Sequence, residues 1–310
     1  MSNLNKQTIT TRQAKNQVNT FGLSLFIYIC LIQTVWHGAV ILNRFRPDFF
    51  GDADPILVMM LFNGLMMLFT AFVLFRISAK QLRLRMRDYL HKVPMPVSRK
   101  FILLILGIAI YVLTGFVATI FPILRQDVTS AYSFVGDFSS VPLIINNAVY
   151  FILFVCIKPL CDEYIFRGII QRQLGHYSRY FGVLASAVLY ALAQPTIADA
   201  VIAFFLGWYL AIISLRYHSI RPSLQIHAGI VFFSWIMSVI PQRFTWISAT
   251  MIMVVFLGTG FVLIGRRVNT DLLRLSSGEE KLWKIVFTSF TVIMCIAVFL
   301  IGIILSMFHL

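Results

Sequence analysis

Charge is what this chain has least of. Asp, Glu, Lys and Arg make up 12% of its 310 residues against 59% hydrophobic, at a mean hydropathy of +0.85. Too few polar side chains remain to cover a soluble globule of this size, which excludes a soluble enzyme or binding module. Acids are the scarcest of all, 12 against 26 Lys and Arg, for a formal net charge of +14. On a soluble surface that balance would point to nucleic acid. Here the basic residues fall between apolar runs, where they set topology and meet anionic lipid, so no nucleic-acid partner is expected. Cysteine is sparse too: Cys30, Cys156, Cys161 and Cys295 lie in or beside apolar runs. Their spacing matches neither a metal site nor a disulfide framework, and they read as buried free thiols. No internal repeat, low-complexity tract or linker divides the chain.

What is abundant is apolar sequence in long runs. Stretches able to cross roughly 30 Å of hydrocarbon fall near 21–43, 55–75, 101–123, 142–160, 181–198, 200–215, 223–240, 245–264 and 285–306. The fifth and sixth are parted only by the turn at Gln194-Pro195-Thr196, so the expectation is an all-α polytopic transmembrane helix bundle of eight or nine spans. Residues 1–20 read as a polar cytoplasmic tail and 21–310 as a single transmembrane domain. The first apolar run is too long for a signal-peptide core, so the N-terminus is expected to be retained. With the N-terminus inside, 22 of the 26 basic residues fall on the cytoplasmic side and only Arg44, Arg46, Arg125 and Arg243 outside. That bias predicts a multi-pass protein of a bacterial plasma membrane with a cytoplasmic N-terminus. The loop with Lys80, Arg83, Arg85, Arg87 and Lys92 among Leu82, Leu84 and Leu90 reads as a cytoplasmic juxtamembrane segment attracted to anionic lipid, in a pattern that could form a surface amphipathic helix although its leucines only partly share a face. A docking site for a partner is the alternative.

Against this background Asp162 and Glu163, followed by Arg167-Gly168, stand out, because adjacent acids at a membrane segment are costly and mark function by default. Folding 142–198 as a hairpin about residue 178 places Asp162 and Gln194 sixteen residues from the bend on either side. They then share a depth of roughly 24 Å from the tip. Arg167, Arg172, His176 and Arg179 would line the cytoplasmic end with their heads in water. His227 lies about one turn into the segment after Arg221-Pro222 and shares a helical face with Val231. Trp36, His37 and Asn63 read as interhelical contacts, and Trp246 and Trp283 as interfacial anchors. Asp199 either belongs to the outer turn or reaches into the cavity.

In this order and spacing the residues resemble the CAAX-protease and bacteriocin-processing (CPBP) family of intramembrane endopeptidases. The family pattern is Glu-Glu-x-x-x-Arg, then Phe-x-x-x-His on the next helix, then His-x-x-x-Asn about thirty residues on. The counterparts are Asp162-Glu163 with Phe166-Arg167-Gly168, Tyr190 through Gln194, and His227 through Val231, with a small-residue helix around Gly207 between the last two. The similar core covers about 140–235. The resemblance implies that the first acid and the second-motif histidine activate water, that the third motif stabilises an oxyanion, and that Arg167 pairs with an acidic neighbour. It also brings in a divalent metal such as zinc as the cofactor class to test.

The departures fall on the chemistry. Asp162 is one methylene shorter than the glutamate of the pattern, and errors of about 1 Å cost on the order of a hundredfold. Gln194 replaces the histidine and cannot take a proton near neutral pH. Val231 replaces the asparagine, and losing one oxyanion donor costs about 2.7–4 kcal/mol. Glu163 and His227 match the pattern. The reading that follows is a non-proteolytic scaffold that binds or regulates another membrane or cell-envelope protein or peptide. The alternative is an active, divergent endopeptidase with Glu163 as base and His227 as its partner. A transporter would spread intramembrane charge over matched halves, and none repeat here.

Overall fold

The computed structural model describes residues 11–45, 54–120, 134–240, 244–265 and 279–307. Ten helices are present among them: α1 Thr11–Phe45, α2 Pro55–Gln81, α3 Val97–Ile120, α4 Val141–Gly175, α5 Arg179–Leu192, α6 Ile197–Tyr217, α7 Ile220–Val239, α8 Thr245–Gly265, α9 Glu279–Phe287 and α10 Phe290–Met307. No strand occurs among the described residues. Six of them, α1, α2, α3, α4, α6 and α7, are long and apolar enough to cross a membrane. The pair α9 and α10, bent by 68°, makes a seventh as a broken span. Most of the nine apolar runs fall on single helices, but 181–198 crosses from α5 into α6 and 285–306 crosses the α9–α10 break, and α5 and α8 are only shorter apolar helices. The protein is a multi-pass helical membrane bundle.

Two helices reach beyond their apolar runs because polar partners await them. The helix α1 starts at Thr11, inside the stretch read as a tail. There Gln17 bonds Gln173 and Tyr177, and Asn19 bonds Ser289 and Thr291. Likewise α4 runs past residue 160 to Gly175, with wider π-helical turns at Phe151–Ile157 and Glu163–Ile170. Such turns recur at functional sites.

The α4–α5 bend falls at the predicted place. Ser178 caps α5 by accepting from the Phe181 amide, and a Cβ at Gly182 would lie 2.6 Å from the Gly175 nitrogen. Only glycine permits that backbone approach. Between α5 and α6, Thr196 accepts from the Asp199 amide at 3.1 Å and donates to its carboxylate at 2.8 Å, a reciprocal N-cap. Asp199 lies in the first turn of α6 with its carboxylate bonded to Thr196.

Side-chain packing forms two large apolar clusters. One joins Phe21, Leu25, Phe75, Phe166, Ile169 and Phe181, and the other Ile108, Leu206, Leu210, Ile230 and Phe233. The acidic pair of α4 meets Tyr190 of α5 and His227 of α7.

Three expectations change. The basic loop is no amphipathic helix: only Met86–Tyr89 forms a short 3₁₀ turn, while Leu82 and Leu84 pack against the core. Arg167 is 1% exposed rather than reaching water, because α6 covers it. Trp283 is half-buried, edge-on against Phe181 and stacked on Phe287, and Trp246 is exposed. All four cysteines are free; Cys161 and Cys295 are buried, but Cys30 is only partly so and Cys156 is exposed. His37 is buried and Asn63 half-buried. The side chains of Trp36 and Arg44, and residues Arg46, Arg125 and Arg243, lie outside the described residues.

Candidate functional site

The polar side chains of α4 recur at helical spacing, so they stack along the side of the helix. Lys158 Nζ meets Asp162 Oδ2 at 2.6 Å, and the Tyr190 hydroxyl donates to the same oxygen at 3.0 Å. Asp162 is fully buried, and the Lys158 side chain is one-third exposed. One turn on, Arg167 Nε lies 3.5 Å from Glu163 Oε1, with both side chains buried. His227 Nδ1 approaches that same oxygen at 3.1 Å from α7. With Glu163 ionised, Nδ1 is the nitrogen that carries the proton and donates.

Arg167 is held on two further sides. It donates to the Gly207 carbonyl at 3.1 Å, and its guanidinium lies over the Tyr190 ring at 4.8 Å. Gln171 and Arg172 continue the ladder, donating to the carbonyls of Ala211 and Ser214 at 2.9 and 3.4 Å. The small side chains of α6 at 207, 211 and 214 leave these carbonyls reachable. A Cβ at Gly207 would sit 2.9 Å from Tyr190 Cδ1, so this glycine serves the close packing that its place in the sequence suggested.

The hairpin register brings Tyr190, rather than Gln194, against Asp162. The Gln194 side-chain amide donates back to the Tyr190 carbonyl at 3.1 Å, and the Gln194 backbone carbonyl accepts from Gln33 Nε2 of α1 at 3.5 Å. Val231 is half-buried on α7 and brings no donor. Among the residues singled out, Asp162, Glu163, Arg167, Tyr190 and His227 are linked by direct contacts. Lys158, Gln171 and Arg172 join them without having been assigned to the site. Their signal was the four-residue spacing 158/162 and 163/167/171 against the small residues of α6.

The cluster is electrically balanced, Lys158 against Asp162 and Arg167 against Glu163. Asp162 Oδ1 and Glu163 Oε2 are buried without a protein hydrogen-bond donor.

Residues 144–233 match the family model described as Type II CAAX prenyl endopeptidase Rce1-like. This region belongs to the CPBP family. The match starts in α4 and ends in α7, so the CPBP region contains the acidic pair, Arg167, Tyr190, Gln194, His227 and Val231. No curated protein and no solved structure matches the chain.

Divalent metal chemistry was one implication of the CPBP resemblance, and the donor set decides the fit. Catalytic zinc takes about three protein ligands. Glu163 and His227 converge, but Asp162 is engaged by Lys158 and the Gln194 amide by Tyr190. Among the described residues no group of three or more His, Cys, Asp or Glu is arranged to hold an ion. The residues do not fit such a metal.

Proposed function

We propose that the chain is a non-proteolytic CPBP-family membrane protein that holds another membrane or cell-envelope protein, or a peptide from one, at the family's site. The observation that carries this reading is the Lys158–Asp162 pair at 2.6 Å. Asp162 stands at the position of the family's base, and its Oδ2 is already occupied by the Lys158 ammonium and the Tyr190 hydroxyl rather than free to meet a water. Gln194 adds no base and Val231 no oxyanion donor, so three parts of one catalytic unit are compromised together.

Binding draws support from the unmatched acceptors. Asp162 Oδ1 and Glu163 Oε2 are buried carboxylate oxygens without donors, and an occupant bringing N–H or O–H groups would satisfy them. A segment of another membrane polypeptide has that chemistry. The distribution of basic residues supports a cytoplasmic N-terminus in a bacterial plasma membrane.

A second reading rests on a different contact, Glu163 with His227 at 3.1 Å. A carboxylate orienting an imidazole is a general-base arrangement, and it would make the chain a divergent endopeptidase. One experiment separates the two. Purified protein in detergent is incubated with a tagged membrane-peptide library, and no product is expected. Cleavage that disappears in Glu163→Gln or His227→Ala overturns the non-proteolytic reading. In parallel, affinity capture from native membranes is expected to enrich a specific membrane or envelope protein that Asp162→Ala releases; no such enrichment counts against the binding role.

A further inference from the structure

The segment between α2 and α3 holds the densest charge in the chain. From Arg76 to Lys100 there are eight Lys and Arg and one acid, Asp88. Arg76, Lys80, Arg83, Arg85, Arg87, Lys92 and Arg99 are exposed. This segment is a folded strap. The Arg83 amide bonds the Lys80 carbonyl and the Leu84 amide the Ala79 carbonyl, closing α2 with a Schellman turn whose left-handed residue is Arg83, at φ 57°. Glycine takes that conformation most cheaply, so this position retains an arginine side chain at a backbone cost. Leu82 and Leu84 pack inward on either side of it, leaving Arg83 and Arg85 outward.

Further along, the strap is pinned to the bundle. The Ser219 hydroxyl lies 3.1 and 2.9 Å from the carbonyls of Tyr89 and His91, and the Arg172 guanidinium sits over the Tyr89 ring at 4.4 Å. The flanking helices fix its depth. Phe72, Val73 and Ile77 on α2, and Val97 and Phe101 on α3, are large apolar side chains turned outward, as lipid-facing residues are. The strap begins where these apolar faces stop, which for helices that face lipid is the level of the headgroups. Leu82 and Leu84 are used inward and Leu90 is the one leucine of the strap left exposed, so the strap meets the leaflet mainly with charge.

We infer that residues 82–96 form a binding surface for anionic lipid headgroups, with Arg83, Arg85, Arg87 and Lys92 as the phosphate contacts. Arginine suits this role through its planar, paired donors. Each basic residue near an anionic leaflet contributes on the order of fivefold in affinity. The surface stands apart from the acidic pair and does not depend on whether that site cuts.

The test uses the full chain in nanodiscs of phosphatidylcholine with increasing phosphatidylglycerol, with retained lipid counted by native mass spectrometry. Wild type is expected to retain phosphatidylglycerol selectively. Arg83→Gln/Arg85→Gln/Arg87→Gln/Lys92→Gln should lower that retention at least tenfold. The charge-matched control Arg12→Gln/Arg179→Gln/Lys281→Gln/Lys284→Gln should lower it less than threefold. Arg85→Gln/Arg87→Gln, which spares the left-handed turn, should show an intermediate loss. Equal losses in the strap and control variants would overturn the inference in favour of diffuse charge. So would the absence of lipid preference in wild type, or strap variants that keep the lipid but lose a protein partner.

Discussion

Glu163 and His227, 64 positions apart in the chain, meet at 3.1 Å because α4 and α7 pack directly against each other. Glu163 Oε1 also faces Arg167 at 3.5 Å, so one carboxylate oxygen joins two helices and balances one buried cation.

Removing that charge should destabilise the bundle irrespective of activity. Glu163→Gln leaves Arg167 buried without its counter-charge, and breaking a buried pair in this way costs about 3–5 kcal/mol. A clear fall in the thermal midpoint in detergent is expected. An unchanged midpoint would show that the pair contributes little to folding.

Lys158 and Asp162 should behave as a coupled pair. Lys158→Met strands a fully buried carboxylate at a cost of about 3 kcal/mol, the low end because Lys158 is partly exposed. Lys158→Met/Asp162→Asn should recover most of this loss. A double variant as unstable as the sum of the single ones would remove the coupling.

The glycine contacts give a steric test. Gly207→Ala places a methyl 2.9 Å from the Tyr190 ring, and overpacking of this kind costs about 1–3 kcal/mol. Gly182→Ala meets backbone at 2.6 Å, which cannot move aside as a side chain can, and should cost more. Relative thermal midpoints rank the two.

Asn147 organises the opposite end of the bundle. Its amide nitrogen reaches the carbonyls of Phe134, Asp137 and Leu143, and its oxygen accepts from the Gly136 amide. Asn147→Leu should cost about 1–3 kcal/mol by leaving buried groups unpaired. Faster hydrogen exchange at residues 134–140 is the expected signature, and unchanged protection there would contradict it.

The helices and the family of the region were legible in the sequence because lipid allows little else. An apolar run must satisfy its own backbone, which makes it a helix, and the bend at Ser178 and the small face around Gly207 carry local signals. The order Asp162-Glu163, Tyr190 to Gln194, His227 to Val231 identified the region that the CPBP family model matches. Two details escaped for reasons of geometry. Equal counts from a bend ignore caps and turn shape, so Tyr190 and not Gln194 meets Asp162. A run of leucines and arginines can pack as an extended strap as well as a helix, and the choice rests on the core that receives Leu82 and Leu84.

Residue identity by itself determined that Gln194 takes up no proton near neutral pH and that Val231 donates no hydrogen bond, since these are properties of the side chains. It also determined a helical membrane protein, since the hydrophobic runs allow nothing else. Only the tertiary structure decided which groups reach the acids from other helices: Tyr190 for Asp162 and His227 for Glu163. Pairing inside a membrane is decided by which helix faces approach, and the contact between α4 and α7 is a property of the packed bundle rather than of either segment.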